Sequence, residues 1–98
     1  MGDGAAPNAA GPSLAAVEAD LVPYLVEAAR TRGVEIDHLA RDEDLIERGV
    51  FDSLSLLDFV MHVERVVGQR IPSEDVVPEN FGTLADISAY LGRTFGLS

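Results

Sequence analysis

The sequence predicts an all-α protein: a small bundle of three principal helices and one short helix, with a long first loop. Three observations carry this. Apolar residues recur every three or four positions in three separate stretches, the spacing that gathers one face of a helix. Each stretch opens on a capping residue (Ser13, Asp52, Thr83), and the first two close at a glycine, Gly33 and Gly68. No stretch alternates apolar and polar residues for long enough to make a strand; Val34-Glu35-Ile36 is too short.

Residues 1–12 are small and broken by Gly and Pro, which predicts a disordered tail ahead of a single domain over 13–98. Ser13 caps a first helix that carries Leu14, Val17, Leu21, Tyr24 or Leu25, and Ala28. Pro23 interrupts it. Inside a helix, proline removes one hydrogen bond and crowds the preceding turn, at about 3 kcal/mol. Either the helix kinks there, or its main part begins near Asp20 with Pro23 in the first turn. Both readings end it at Arg30–Arg32, where cations suit the negative end of the helix dipole.

Residues 33–52 form the long loop, with Val34, Ile36, Leu39, Leu45, Ile46 and Val50 spaced irregularly among acids. A loop of this length is functional, or is tacked to the core by its apolar residues. Its acids lack the D-x-D-x-D-G order of a calcium loop, so no metal site is expected. The second helix runs from Ser53 to Val67. Ser73-Glu74-Asp75 makes a short turn with Val76 and Val77 as anchors. Pro78–Phe81 makes one helical turn that buries Phe81, with proline at its favoured first position. Thr83 caps the last helix, which carries Leu84, Ile87, Tyr90 and Leu91, and Gly92 and Gly96 bracket a fraying end. Helices one, two and four supply the core.

Composition removes several classes of function. The net charge is −10 and all seven basic residues are Arg, with no basic patch, so nucleic acid is not an expected partner. An acidic surface steers toward basic patches on other proteins. With no cysteine, disulfides and thiolate chemistry are excluded. No apolar run approaches the roughly 20 residues of a membrane span. The N-terminus shows no basic segment followed by an apolar one, and the cytoplasm is the expected location.

The chain is organised around Gly49–Met61, a loop that runs into a helix with Asp52 and Ser53 at the junction. Ser53 falls in the first turn, where its hydroxyl faces solvent and the positive end of the helix dipole favours an anion. Along the helix, Leu56, Phe59, Val60, Val63, Val66 and Val67 gather on the core seam. Leu54 and Met61 fall opposite, beside Asp58 and Arg65, with Leu57 at the edge. Scattered exposed apolar residues are ordinary, but these two adjoin the serine and read as a docking patch. Neither histidine, His38 or His62, must activate Ser53, and a nucleophilic pair with it is not expected; His62 reads as a solvated residue between the two faces.

Asp52-Ser53-Leu54 resembles the phosphopantetheine attachment motif of acyl carrier proteins. The resemblance spans roughly residues 17–92. Its other landmarks are Leu45-Ile46-Glu47-Arg48-Gly49, Val60-Met61, Ile71-Pro72 and Ala85–Leu91. It implies a free-standing, monomeric carrier with the family's four-helix bundle. A phosphopantetheinyl transferase, using coenzyme A and magnesium, would place 4′-phosphopantetheine on Ser53, and the arm's thiol would hold an acyl group as a thioester. It implies no catalysis by the chain itself. Asp52 matches the family's acid before the serine and would help present it, and Leu54 completes the motif. The implied docking set for acyl-loading and acyl-processing enzymes with basic patches is Phe51, Leu54, Leu57, Asp58, Met61 and Glu64.

Three departures from the fatty-acid-type pattern stand out: Ser55 after the motif, Arg65 beside Glu64, and bulky Phe51 before Asp52. A less acidic, more apolar face points to a dedicated set of partners, as in polyketide or related specialised-metabolite biosynthesis. The alternatives are a free-standing aminoacyl, peptidyl or D-alanyl carrier, and an acidic helical interaction module with no prosthetic group. Carriers of the peptidyl kind more often show Gly-Gly where this chain has Phe51-Asp52.

Overall fold

The computed structural model describes residues 12–36 and 39–98. The helices are α1 (Leu14–Thr31), α2 (Ser53–Val67), the single turn α3 (Pro78–Phe81) and α4 (Leu84–Phe95), with a 3₁₀ turn over Ser73–Asp75. Three long helices, one short helix and a long first loop are the architecture the sequence predicts. The expected tail, residues 1–12, lies outside the described residues except for Pro12.

The predicted caps are present. The hydroxyl of Ser13 accepts from the Ala16 N–H at 3.1 Å, and that of Thr83 from the Asp86 N–H at 3.0 Å. Gly68 ends α2 in the left-handed conformation, with φ of 72°. Pro23 lies inside an unbroken α1 rather than in its first turn. Both Pro23 and Ala19, whose carbonyl loses its helical partner to the proline, are exposed, so water can serve the orphaned group.

The core is built from one stripe of each long helix: Val17, Leu21, Leu25 and Ala29 of α1, Phe59, Val60, Val63 and Val67 of α2, and Leu84, Ile87, Tyr90 and Leu91 of α4. Ala29, not Ala28, takes the fully buried position on α1. The long loop is tacked down as its apolar residues predict, with Leu45 and Val50 fully buried. Polar clips secure it as well. The Leu45 N–H donates to the Gly82 carbonyl at 2.8 Å, and the Ala85 N–H to the Arg41 carbonyl at 2.9 Å. Arg41 also pairs with Glu18 of α1, which accepts from the buried Ser88 hydroxyl of α4. Burial pushes the Glu18 carboxyl up, but the bonds from Arg41 and Ser88 and the Arg41 charge outweigh it, leaving it below the usual carboxylate range.

Two expectations need correction. Phe51, read as a docking residue, is only 5% exposed. The residue before an N-cap turns back over the helix it precedes, and here its ring meets Phe59 at 5.0 Å. From there aromatic contacts continue through Phe81 to Tyr90. The C-terminus does not fray at Gly92. Helix α4 continues to Phe95, Leu97 is buried, and the Ser98 carbonyl accepts from the Leu14 N–H at 3.3 Å. Gly92 permits this closure: a Cβ there would stand 3.3 Å from Leu14 Cδ1.

Candidate functional site

The start of α2 is fixed from both sides of the helix junction. Gly49 has φ of +82°, a conformation that favours glycine, and it turns the chain toward the helix. Asp52 then caps α2 in an extended conformation. Its Oδ1 accepts from the Ser55 N–H at 2.8 Å, and its own N–H donates to Ser55 Oγ at 2.9 Å. This is a capping box in which serine replaces the usual Glu or Gln. From the end of α1, Arg32 adds two bonds. Its Nε donates to the Gly49 carbonyl at 2.8 Å and its Nη1 to Asp52 Oδ2 at 3.2 Å. The Ser55 N–H and hydroxyl, and then the Arg32 charge, hold the Asp52 carboxyl below its usual range.

Ser53 is different from its neighbours. It is the first residue of α2 and is exposed. Among the described residues its Oγ makes no hydrogen bond, and the N–H groups of Ser53 and Leu54 have no backbone or side-chain acceptor. The junction thus leaves one free hydroxyl beside two free donors at the positive end of a 15-residue helix. Both oxygens of Asp52 are engaged, so it is poorly placed to take a proton from that hydroxyl. His62 does not do so either: its Nε2 lies 2.7 Å from Asp20 Oδ1, and its ring stacks on Tyr24 at 4.5 Å. With 23% of its side chain exposed, His62 belongs to the contact between α1 and α2 and is not the solvated residue expected. His38 lies outside the described residues.

The outer face of α2 follows the helical spacing. Leu54, Leu57 and Met61 are 72%, 52% and 54% exposed, and Asp58 and Arg65 are exposed beside them. Glu64 is half withdrawn from this face, since its carboxylate accepts from the Ile71 N–H at 2.7 Å. Between α2 and the turn that follows it runs a groove of about 530 Å³, whose mainly apolar lining includes Leu57, Val60, Met61, Ile71 and Val76, with Ser53, Glu64 and Ser73 as its polar members. The serine is therefore part of the wall of this groove and stands at one end of an apolar helix face. Among the described residues no helix is long and apolar enough to cross a membrane.

The sequence places Asp52 and Ser53 at the loop–helix junction and Leu54 and Met61 opposite the core, and the structure has them there. The bonds of Arg32 to the cap had no local signal beyond a cation at a helix end, whereas the capping role of Ser55 could be read from the Asp52-x-x-Ser55 spacing.

Residues 24–91 match the phosphopantetheine attachment site family. Compared with curated proteins, the sequence finds no match. The match covers most of the chain, and the protein belongs to this family of carriers, which bear a 4′-phosphopantetheine prosthetic group and work with partner enzymes instead of catalysing reactions themselves. The residues at the start of α2 fit such a group, since an exposed and unengaged hydroxyl meets unpaired first-turn donors suited to a phosphodiester.

Proposed function

We propose that this carrier holds acyl groups on a 4′-phosphopantetheine arm esterified to Ser53 and delivers them to partner enzymes across the outer face of α2, in polyketide or related specialised-metabolite biosynthesis. The observation that carries this reading is the free, exposed Ser53 hydroxyl at the cap of α2, within the segment that matches the family. The bound group supplies a thiol at the end of a long arm, where an acyl group is held as a thioester. The chain supplies the rest. The Asp52–Ser55 box and Arg32 hold the serine at the surface. Leu54, Leu57 and Met61 offer an apolar patch to partner surfaces, with Asp58 as its exposed acid and Glu64 at its margin. The phosphopantetheinyl transferase is one such partner, and the carrier acts as a single copy in the cytoplasm.

The test is intact mass after incubation with coenzyme A, magnesium and a promiscuous phosphopantetheinyl transferase. Wild type gains one arm and Ser53→Ala gains none. If wild type gains nothing from several transferases, the carrier reading of Ser53 fails and an interaction module without a prosthetic group takes its place. Presenting the loaded-arm form to acyl-loading and aminoacyl-loading enzymes then separates acyl cargo from aminoacyl or peptidyl cargo.

A further inference from the structure

A modified Ser53 poses an electrostatic problem. The phosphodiester brings a negative charge to the residue next to Asp52, in a chain whose net charge is already −10. Adjacent like charges repel, and although the first-turn N–H groups of Ser53 and Leu54 favour an anion, no side chain of the motif Asp52-Ser53-Leu54 carries a positive charge to offset the pair. The fold answers it with a residue 20 positions away. Arg32 extends from the end of α1 and pairs with Asp52 Oδ2 at 3.2 Å while bonding the Gly49 carbonyl at 2.8 Å. A guanidinium carries five N–H donors in a planar fork. Two are in use, and the Nη2 donors have no partner among the described residues. Arg32 is therefore an anion-pairing group with capacity left over, fixed on the residue that precedes Ser53.

We propose that Arg32 is a positioning residue for phosphopantetheinylation: it holds the loop and cap that present Ser53, and it offsets the charge of Asp52 so that a second anion is tolerated at the next residue. This rests on the proposed attachment at Ser53. In the transfer, the Ser53 O–H bond breaks and an Oγ–P bond forms. The P–O bond to the 3′,5′-ADP portion of coenzyme A breaks, that portion leaves, and the serine proton passes to the transferase. The alternative is that Arg32 only ties α1 to the loop. It would then matter equally with and without the arm.

The test is a thermodynamic cycle in which one change is Arg32→Ala and the other is the arm itself. Melting temperatures are measured for the apo and holo forms of wild type, Arg32→Ala and Arg32→Lys, the holo forms all made with coenzyme A and the same promiscuous transferase. In wild type, adding the arm changes the melting temperature little. In Arg32→Ala it lowers it by a further 2–4 °C or so, a shift of the size a lost partly exposed ion pair gives in a domain of this length. Arg32→Lys keeps the charge and recovers part of the loss. In 1 M salt, where the screening length falls to about 3 Å, the extra loss disappears. The transfer rate supplies a second readout. For Arg32→Ala, kcat/KM falls about threefold to fivefold at low salt, and the deficit narrows as salt rises. An apo-to-holo change that is the same in wild type and Arg32→Ala overturns the proposal and leaves Arg32 a plain structural tie. Failure of wild type to take up any arm is a different result, since it removes the Ser53 reading and not only the part assigned to Arg32.

Discussion

The two faces of α2 are built from similar residues and treated in opposite ways. On the inner face Phe59, Val60, Val63 and Val67 are between 0% and 5% exposed. On the outer face Leu54, Leu57 and Met61 keep half or more of their surface in water. Hydrophobicity alone does not decide which face packs. The spacing does: the inner set falls into the shared core, where Phe59 meets Tyr24 of α1 and Phe81 of α3, while the outer set stays largely in water. One face therefore supports the fold, and the other is the face we propose for docking.

Two substitutions break this division if it is wrong. Phe59→Ala should give the largest effect, a loss of about 3–5 kcal/mol, because Phe59 is fully buried and touches Phe51, Tyr24 and Phe81. Thermal or urea unfolding reads it directly. Met61→Glu should leave stability within about 0.5 kcal/mol, yet slow acyl transfer from the holo protein to an acyl-processing enzyme by about fivefold or more, as truncation of an interface anchor does. A Met61→Glu protein that unfolds as readily as Phe59→Ala would show that the outer face is packed. One that folds and transfers at the wild-type rate would show that it is not the docking face.

A smaller effect sharpens the comparison by testing what holds the scaffold around α2 in place. Glu18 of α1 and Asp52 of the cap are both held below their ordinary values of 4.5 and 3.8. On acidification the unfolded chain takes up these protons first. The stability each carboxylate provides is thus complete above its ordinary value and is lost as the pH falls through the lower folded value. The net charge of −10 acts in the other direction, since acid relieves mutual repulsion. The useful readout is therefore a difference. Wild type should melt above Glu18→Gln at pH 6, and the gap should narrow as the pH drops below about 4.5. A gap that does not depend on pH would mean that the Glu18 charge has no part in clipping α1 to Arg41 and Ser88.

What was legible in the sequence was local. Ser13, Asp52 and Thr83 cap their helices, Gly33 and Gly68 mark the stops, and the apolar spacing of α2 sorts its two faces, because each signal acts within a turn or two of chain. The serine was legible for the same reason: its place in the first turn follows from the cap before it. The missed features are tertiary. Arg32 reaches Asp52 across 20 residues, His62 meets Asp20 across 42, and Ser88 meets Glu18 across 70. No periodicity encodes such pairings. Phe51 failed for a subtler reason. It sits one residue outside the helix, where the helical spacing no longer tells which way a side chain points, and the open side of the aromatic cluster drew it inward. The C-terminus was misread because glycine usually ends a helix, whereas Gly92 lies inside one, where a Cβ would crowd Leu14 and the Leu97 carbonyl.

The proposal stands or falls on Ser53, whose hydroxyl makes no hydrogen bond among the described residues while that of Ser55 is engaged in the capping box, as the residue that carries the arm. Tandem mass spectrometry of the coenzyme A-treated protein, mapping the phosphodiester to a single side chain, tests this most directly. The account predicts the whole modification on Ser53 and none on Ser55, whose hydroxyl is held in the capping box. An arm on Ser55, or on any serine elsewhere in the chain, would contradict it.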